Sequence, residues 1–126
     1  PVLDFGTGTE SYRLYGEGYG LNGNSMAYYG QCYLNDEAET RHPYAAPLQA
    51  EDLSGLPQAH VITAECDPLR DDGEAYARRL QEAGVSATCT RYEGMVHAFF
   101  GFSPRIRKTQ EALEEAAAVL RKGLVG

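Results

Sequence analysis

The stretch from Val61 to Phe100 constrains this chain more than any other, because it reads as strand, acid, helix, strand, histidine. Ala59 to Glu65 is a short apolar run rich in β-formers, the composition of a buried parallel strand. Asp67 follows two residues after that run ends. Asp71 and Asp72 then open a helix, where negative charge suits the first turn. Tyr76, Leu80 and Ala83 recur at helical spacing on one face, and Gly84 is a natural stop. Val85 to Tyr92 alternates as a second strand does. His97 lies five residues past Tyr92, beyond the turn residue Gly94.

A strand, helix and strand of this length make a right-handed βαβ crossover, so the two strands run parallel. Their carboxyl ends then share one rim. Asp67 and His97 are thirty positions apart, yet each lies just past a carboxyl end, where open α/β sheets build their sites. An Asp that fixes one imidazole nitrogen, leaving the other to take a proton, is the base half of a Ser-His-Asp triad. Acid before histidine is also the chain order of α/β-hydrolases, in which the nucleophile comes first.

The run Glu-Cys-Asp-Pro-Leu-Arg-Asp-Asp-Gly at 65–73, followed by Tyr-Glu-Gly-Met-Val-His-Ala-Phe-Phe at 92–100, resembles the C-terminal part of the hormone-sensitive-lipase-like (family IV) esterases. The resemblance extends from Pro1 to about Leu120. It implies an α/β fold, the C-terminal part of an α/β-hydrolase with parallel strands six, seven and eight, flanking helices and a cap helix. Pro1 to Phe5 would be the end of strand six. It implies hydrolysis of short-chain carboxylic esters without a cofactor or metal, with Asp67 as catalytic acid and His97 as general base. Ala98 departs from the family's more frequent Gly, which stiffens the loop after His97.

Two family segments do not occur in this sequence: the Gly-x-Ser-x-Gly nucleophile elbow and the His-Gly-Gly-Gly oxyanion segment. The expectation is therefore a C-terminal portion, residues 1–126, that supplies Asp and His but no nucleophile and is inactive on esters alone. Its partner would be the N-terminal half of the same hydrolase. The strand Val85 to Tyr92 is a candidate edge for a homodimer. A reading of another class is a non-catalytic α/β interaction module with a hydrolase-like shape. An Asp67 turned away from His97 to cap the following helix would favour that module.

Residues 6–34 read as a cap-like insertion over the site. Gly6 to Gly23 has scattered tyrosines and no sustained period, which predicts loop. Asn24 or Ser25 would cap a helix from Met26 to Leu34. Gly23-Asn24-Ser25-Met26-Ala27 superficially resembles a nucleophile elbow, but a glycine-rich loop precedes it where an elbow needs a strand. Met26, Tyr29, Cys32 and Tyr33 share one helical stripe, which is core or, by the resemblance, pocket wall. Met26, Tyr29, Tyr33 and Phe99 are the candidate substrate-binding residues. Phe99 and Phe100 either pack under the histidine loop as core, the favoured reading, or touch substrate.

The remaining features are structural in this reading. His42 sits in a proline-extended loop without a ligand-spaced partner. His60 begins a strand, far from its carboxyl end. Glu51 to Leu56 is expected to form one helical turn. The last helix should run from about Pro104 to Lys122, with Ser103 and Pro104 as cap and first turn. Ile106, Leu113, Ala117 and Leu120 would be its buried stripe, Glu111, Glu114 and Glu115 its wet face, and Gly123 its stop.

Composition narrows the function classes. A net charge of −7 gives no basic footprint for nucleic acid and suits an anionic membrane surface poorly. No tract has the length of a bilayer span. Cys32, Cys66 and Cys89 cannot all pair internally and show no metal-ligand spacing, which fits reduced thiols in the cytoplasm. Cys89 is expected to be buried in its strand, and Cys66 to pack under the acid loop rather than act as a nucleophile.

Overall fold

The computed structural model describes residues 1–102 and 105–125. Six main elements follow in order: α1 (Glu10–Tyr15), α2 (Gly23–Tyr33), β1 (Ala59–Cys66), α3 (Arg70–Glu82), β2 (Ala87–Val96) and α4 (Arg107–Val125). Short 3₁₀ turns occupy Glu37–Arg41, Pro47–Gln49 and Phe99–Gly101. β1 and β2 pair in parallel, as the crossover between them demands.

The two faces of this ladder carry different cores. Leu80 of α3 packs with Leu53, Val85 and Ala87, and Tyr76, Ala83 and Ala59 close around them. Full burial of a leucine such as Leu80 stabilises by roughly 1.5–3 kcal/mol. On the other face Ala64, Met95 and Phe99 pack against Ala112 of α4. Strand alternation accounts for the division. Arg91 reaches Glu74 of α3, whereas Thr90 and Tyr92 reach Glu115 of α4. α3 stops where Gly84 takes a φ of +78°, a conformation that favours glycine.

Several elements differ from expectation. Pro1 to Phe5 forms no strand. A strand exists only with a ladder partner, and β1 and β2 pair with each other alone among the described residues. Leu3 still anchors this segment, buried and accepting a bond from the Leu48 amide. The loop expected before Gly23 contains α1, capped by Thr9, whose hydroxyl accepts from the Tyr12 amide. α2 begins earlier than predicted, because Asn22 is the cap that accepts from the Ser25 amide. Its stripe is not core, since no α2 residue is buried. Glu51 to Leu56 holds a turn at Ser54–Gly55 rather than a helix, because Asp52 binds the Ser54 amide and hydroxyl.

β2 runs past Tyr92 to Val96, and Gly94 lies within it instead of ending it. Cys89 is exposed, because β2 is an edge strand only partly covered by α3. α4 turns a different face inward from the one its leucines suggested. Thr109 and Ala112 are buried and Glu115 binds the sheet, whereas Leu113 is exposed and Leu120 is 63% exposed. Small side chains let this helix approach the sheet closely. α4 also continues through Gly123 to Val125, so Gly123 is not its stop. Ser103 and Pro104 lie outside the described residues.

Candidate active site

Asp67 and His97 meet at the rim formed by the carboxyl ends of β1 and β2. The final ladder pair is Cys66 with Val96, so Asp67 and His97 are each the first residue past the ladder on their strand. His97 Nδ1 donates to Asp67 Oδ2 across 2.8 Å. The other oxygen, Oδ1, accepts from the Leu69 amide at 2.8 Å. Asp67 therefore shapes the turn into α3 and holds the imidazole at once, and neither duty displaces the other. Its side chain is largely covered, whereas that of His97 is 34% exposed.

The acid loop is tied down on several sides. Ser11 of α1 is fully buried; its hydroxyl donates to the Pro68 carbonyl at 2.9 Å and accepts from the Asp71 amide at 3.2 Å. The Ser11 amide in turn donates to Asp71 Oδ2 at 2.8 Å. Arg70 bonds Asp71, donates to the Glu65 carbonyl at 3.1 Å, and places its guanidinium over the Tyr15 ring. Desolvation works against the charged Asp71, but the Ser11 amide and Arg70 outweigh it and hold the carboxyl below its usual range. Neighbouring Asp72 behaves oppositely. It is buried, with Asp4, Asp71 and Asp67 nearby, and its pKa is pushed up to about 6, first by desolvation.

The histidine loop is fixed from the α4 side. Thr109 Oγ1 donates to the Phe99 carbonyl at 3.0 Å. Phe99 is 4% exposed and stacks obliquely on Tyr92. It is part of the buried cluster with Ala64, Met95 and Ala112. Ala98 adopts φ +61°, ψ +21°, a left-handed conformation that costs a residue with a Cβ roughly 1–2 kcal/mol.

An open cavity of about 1270 Å³ lies beside the pair. His97 and Leu69 line it, with Met26, Tyr29 and Tyr33 of α2 and Tyr12 of α1. Three of the four predicted pocket residues therefore border the same space as the imidazole. Tyr12 is one of the tyrosines, with Tyr15 and Tyr19, that favoured a cap reading of its segment; Leu69 was missed, because in the acid motif attention fell on charge. Burial raises the Cys66 thiol pKa, with Glu65 adding to the effect, so its environment disfavours a thiolate nucleophile. His42 is exposed and accepts from the Tyr44 amide. His60 serves the fold: Nδ1 meets the Thr88 hydroxyl at 2.7 Å and Nε2 lies 3.0 Å from Glu115. No helix among the described residues is long and apolar enough to cross a membrane.

Comparison with known proteins returns one family throughout. A family model described as an alpha/beta hydrolase fold matches residues 1–101. An arylesterase of Saccharolobus solfataricus is 50% identical over 106 residues, which cover 83% of this chain and 34% of that protein. An ethyl acetate hydrolase of Pseudomonas putida is 33% identical over 124 residues, covering 98% of this chain and 39% of the other. The crystal structure of a thermostable esterase from Pseudomonas putida ECU1011 superposes with a TM-score of 0.95 at 39% identity, over 98% of this chain and 40% of its own. The chain thus spans between a third and two fifths of the length of these relatives.

Proposed function

The chain belongs to the alpha/beta hydrolase fold family, within its hormone-sensitive-lipase-like branch, and matches the C-terminal part of that fold; from that premise we propose that Asp67 and His97 are the acid and base of a Ser-His-Asp triad that hydrolyses short-chain carboxylic esters. The observation that carries this reading is the 2.8 Å bond from His97 Nδ1 to Asp67 Oδ2 beside an open cavity. In the reaction, His97 Nε2 takes the proton of a serine hydroxyl as that oxygen attacks the ester carbonyl. The imidazolium returns the proton to the departing alcohol, and water repeats both steps on the acyl-enzyme. Asp67 keeps the tautomer with its proton on Nδ1 and stabilises the imidazolium.

The sequence contains no Gly-x-Ser-x-Gly. The nucleophile and oxyanion donors are proposed to come from the N-terminal half of the same hydrolase, so these 126 residues alone do not turn over esters. Residues 6–34, which contain α1 and α2, act as the cap, with Met26, Tyr29 and Tyr33 as its pocket wall. The outer edge of β2 is the candidate homodimer contact, and unpaired thiols suit a cytoplasmic protein.

The test is hydrolysis of p-nitrophenyl acetate and butyrate, with labelling by a fluorophosphonate. Turnover should require a Gly-x-Ser-x-Gly segment supplied with this chain, and should vanish in His97→Ala. Fluorophosphonate-sensitive turnover by the isolated 126 residues, or full activity in His97→Ala, overturns the reading.

A further inference from the structure

The ladder between β1 and β2 changes register just before the site. From Ala59↔Ala87 to Ala64↔Tyr92, partners differ by 28 positions, but Cys66 pairs with Val96, a difference of 30. Only Glu65 stands between Ala64 and Cys66, whereas Glu93, Gly94 and Met95 stand between Tyr92 and Val96. β2 therefore carries a two-residue bulge. Continued at the first register, the ladder would set Cys66 against Gly94 and Asp67 against Met95. The bulge brings His97, thirty positions on, opposite Asp67. The bulge also resets strand alternation: Met95, three residues after Tyr92, faces the same α4-side core with Ala64 and Ala112.

A bulge frees backbone groups from the ladder, and here one side chain takes up one of them. Gly94 lies at φ +71°, open to glycine and strained for other residues. Its amide donates to Glu65 Oε2 at 2.6 Å. The Glu65 carbonyl accepts from Arg70 Nη1, so the residue that clamps the bulge is itself tied to the acid loop. We propose that Glu65 is a positioning residue for His97: its carboxylate pins the Gly94 bulge, and the pinned bulge sets the register that brings the imidazole to Asp67. This proposal rests on the reading of Asp67 and His97 as acid and base. Glu65 touches no reacting atom in this scheme and acts only through the backbone of β2.

The competing account is an exposed hydrogen bond that water replaces without consequence. Two variants in the protein carrying this chain separate them. Glu65→Ala removes the acceptor, and Glu65→Gln keeps a carbonyl oxygen for the Gly94 amide. The readout is the far-downfield NMR resonance of the His97 Nδ1 proton, which appears when the Asp67 bond shields it from exchange, read beside amide protection at residues 60–64 and 88–92. We expect the resonance in the parent and in Glu65→Gln, and its loss in Glu65→Ala while the ladder amides stay protected. In ester assays kcat should fall about 10²-fold in Glu65→Ala, the scale of an ångström-sized misplacement. KM should stay within about 2-fold, and Glu65→Gln should recover most of the rate.

A resonance retained in Glu65→Ala overturns the clamp. So does a Glu65→Gln variant that loses it with an intact ladder, or a parent Gly94 amide that exchanges as fast as an unbonded one. That last measurement needs no variant, so the proposal stays exposed to refutation even if Glu65→Ala does not fold. No downfield resonance in the parent would instead refute the Asp67–His97 pairing, and the clamp with it.

Discussion

Asp72→Asn should stabilise this protein at neutral pH, and the gain should shrink in acid. Asp72 occupies the first turn of α3, where the helix dipole favours an anion. Yet it is only 4% exposed, and three further carboxylates lie around it. Burial and those charges move its pKa from 3.8 to about 6. A carboxyl with a raised folded pKa binds more protons folded than unfolded between those two values, so its contribution is fully present below pH 3.8 and is lost as pH rises through 6. A carboxyl moved from 3.8 to about 6 loses about 3 kcal/mol of stabilisation above pH 6 relative to a group that cannot ionise. The isosteric amide cannot ionise. It should therefore exceed the parent by up to about 3 kcal/mol at pH 8 and by less than about 1 kcal/mol at pH 4. Urea denaturation at both values, with equal m-values for the two proteins, measures the difference. A gain independent of pH, or a variant less stable at pH 8 than at pH 4 relative to the parent, would refute the view of Asp72 as an uncompensated buried carboxylate.

Asp67→Asn should lower kcat of the complemented hydrolase by about 10⁴-fold with the fold retained, checked by steady-state kinetics and circular dichroism. Ser11→Ala leaves the Asp71 amide without its hydroxyl partner in a buried site and should cost about 1–3 kcal/mol by urea denaturation. Glu115→Ala removes the acceptor of Thr90 and Tyr92, 2.6 and 2.5 Å away, and should cost a similar amount by the same measurement. Ala98→Gly relieves the left-handed conformation at φ +61° and should raise stability by up to about 1 kcal/mol, read as a shift in the urea midpoint.

The parts of the molecule legible in the sequence are those governed by short-range rules. β1 and α3 announce themselves by an apolar run, an acidic first turn and a glycine stop. The parallel crossover then follows from topology, and with it the meeting of Asp67 and His97. What escaped depends on contacts between elements. α1 is six residues long, too short to carry a period, and its stability comes from Ser11 against the acid loop. α4 bears two stripes, a leucine one and a Thr109–Ala112–Glu115 one, and contacts with the Phe99 carbonyl, the core and the hydroxyls of Thr90 and Tyr92 decide that the second faces the sheet. Asp71 and Asp72 look equivalent in sequence, yet Ser11 and Arg70 stabilise the charge of the first while the second is buried among like charges. The bulge was signalled by a glycine inside a strand pattern, but Gly94 serves a turn equally well.

The acid loop and the histidine loop are held from opposite faces of the same two-stranded ladder. α1 and α3 grip the first through Ser11, Arg70 and Asp71. α4 grips the second through Thr109 and the packing of Ala112 against Phe99. Weakening either grip loosens one loop without releasing the other, so neither helix alone determines the distance between acid and base. That distance is set where the two systems join, at the ends of β1 and β2. There the remaining freedom is the register of β2, since the burial of Met95 and Phe99 already fixes which face each residue takes. A one-residue slip would turn His97 to the wrong face and expose Met95. Loss of the two-residue bulge would separate Asp67 from His97 and would also carry Met95 away from Ala64 and Ala112. The register that pairs Asp67 with His97 is thus held from two sides, by the packing of Met95 and by the polar contact of Glu65 with the Gly94 amide.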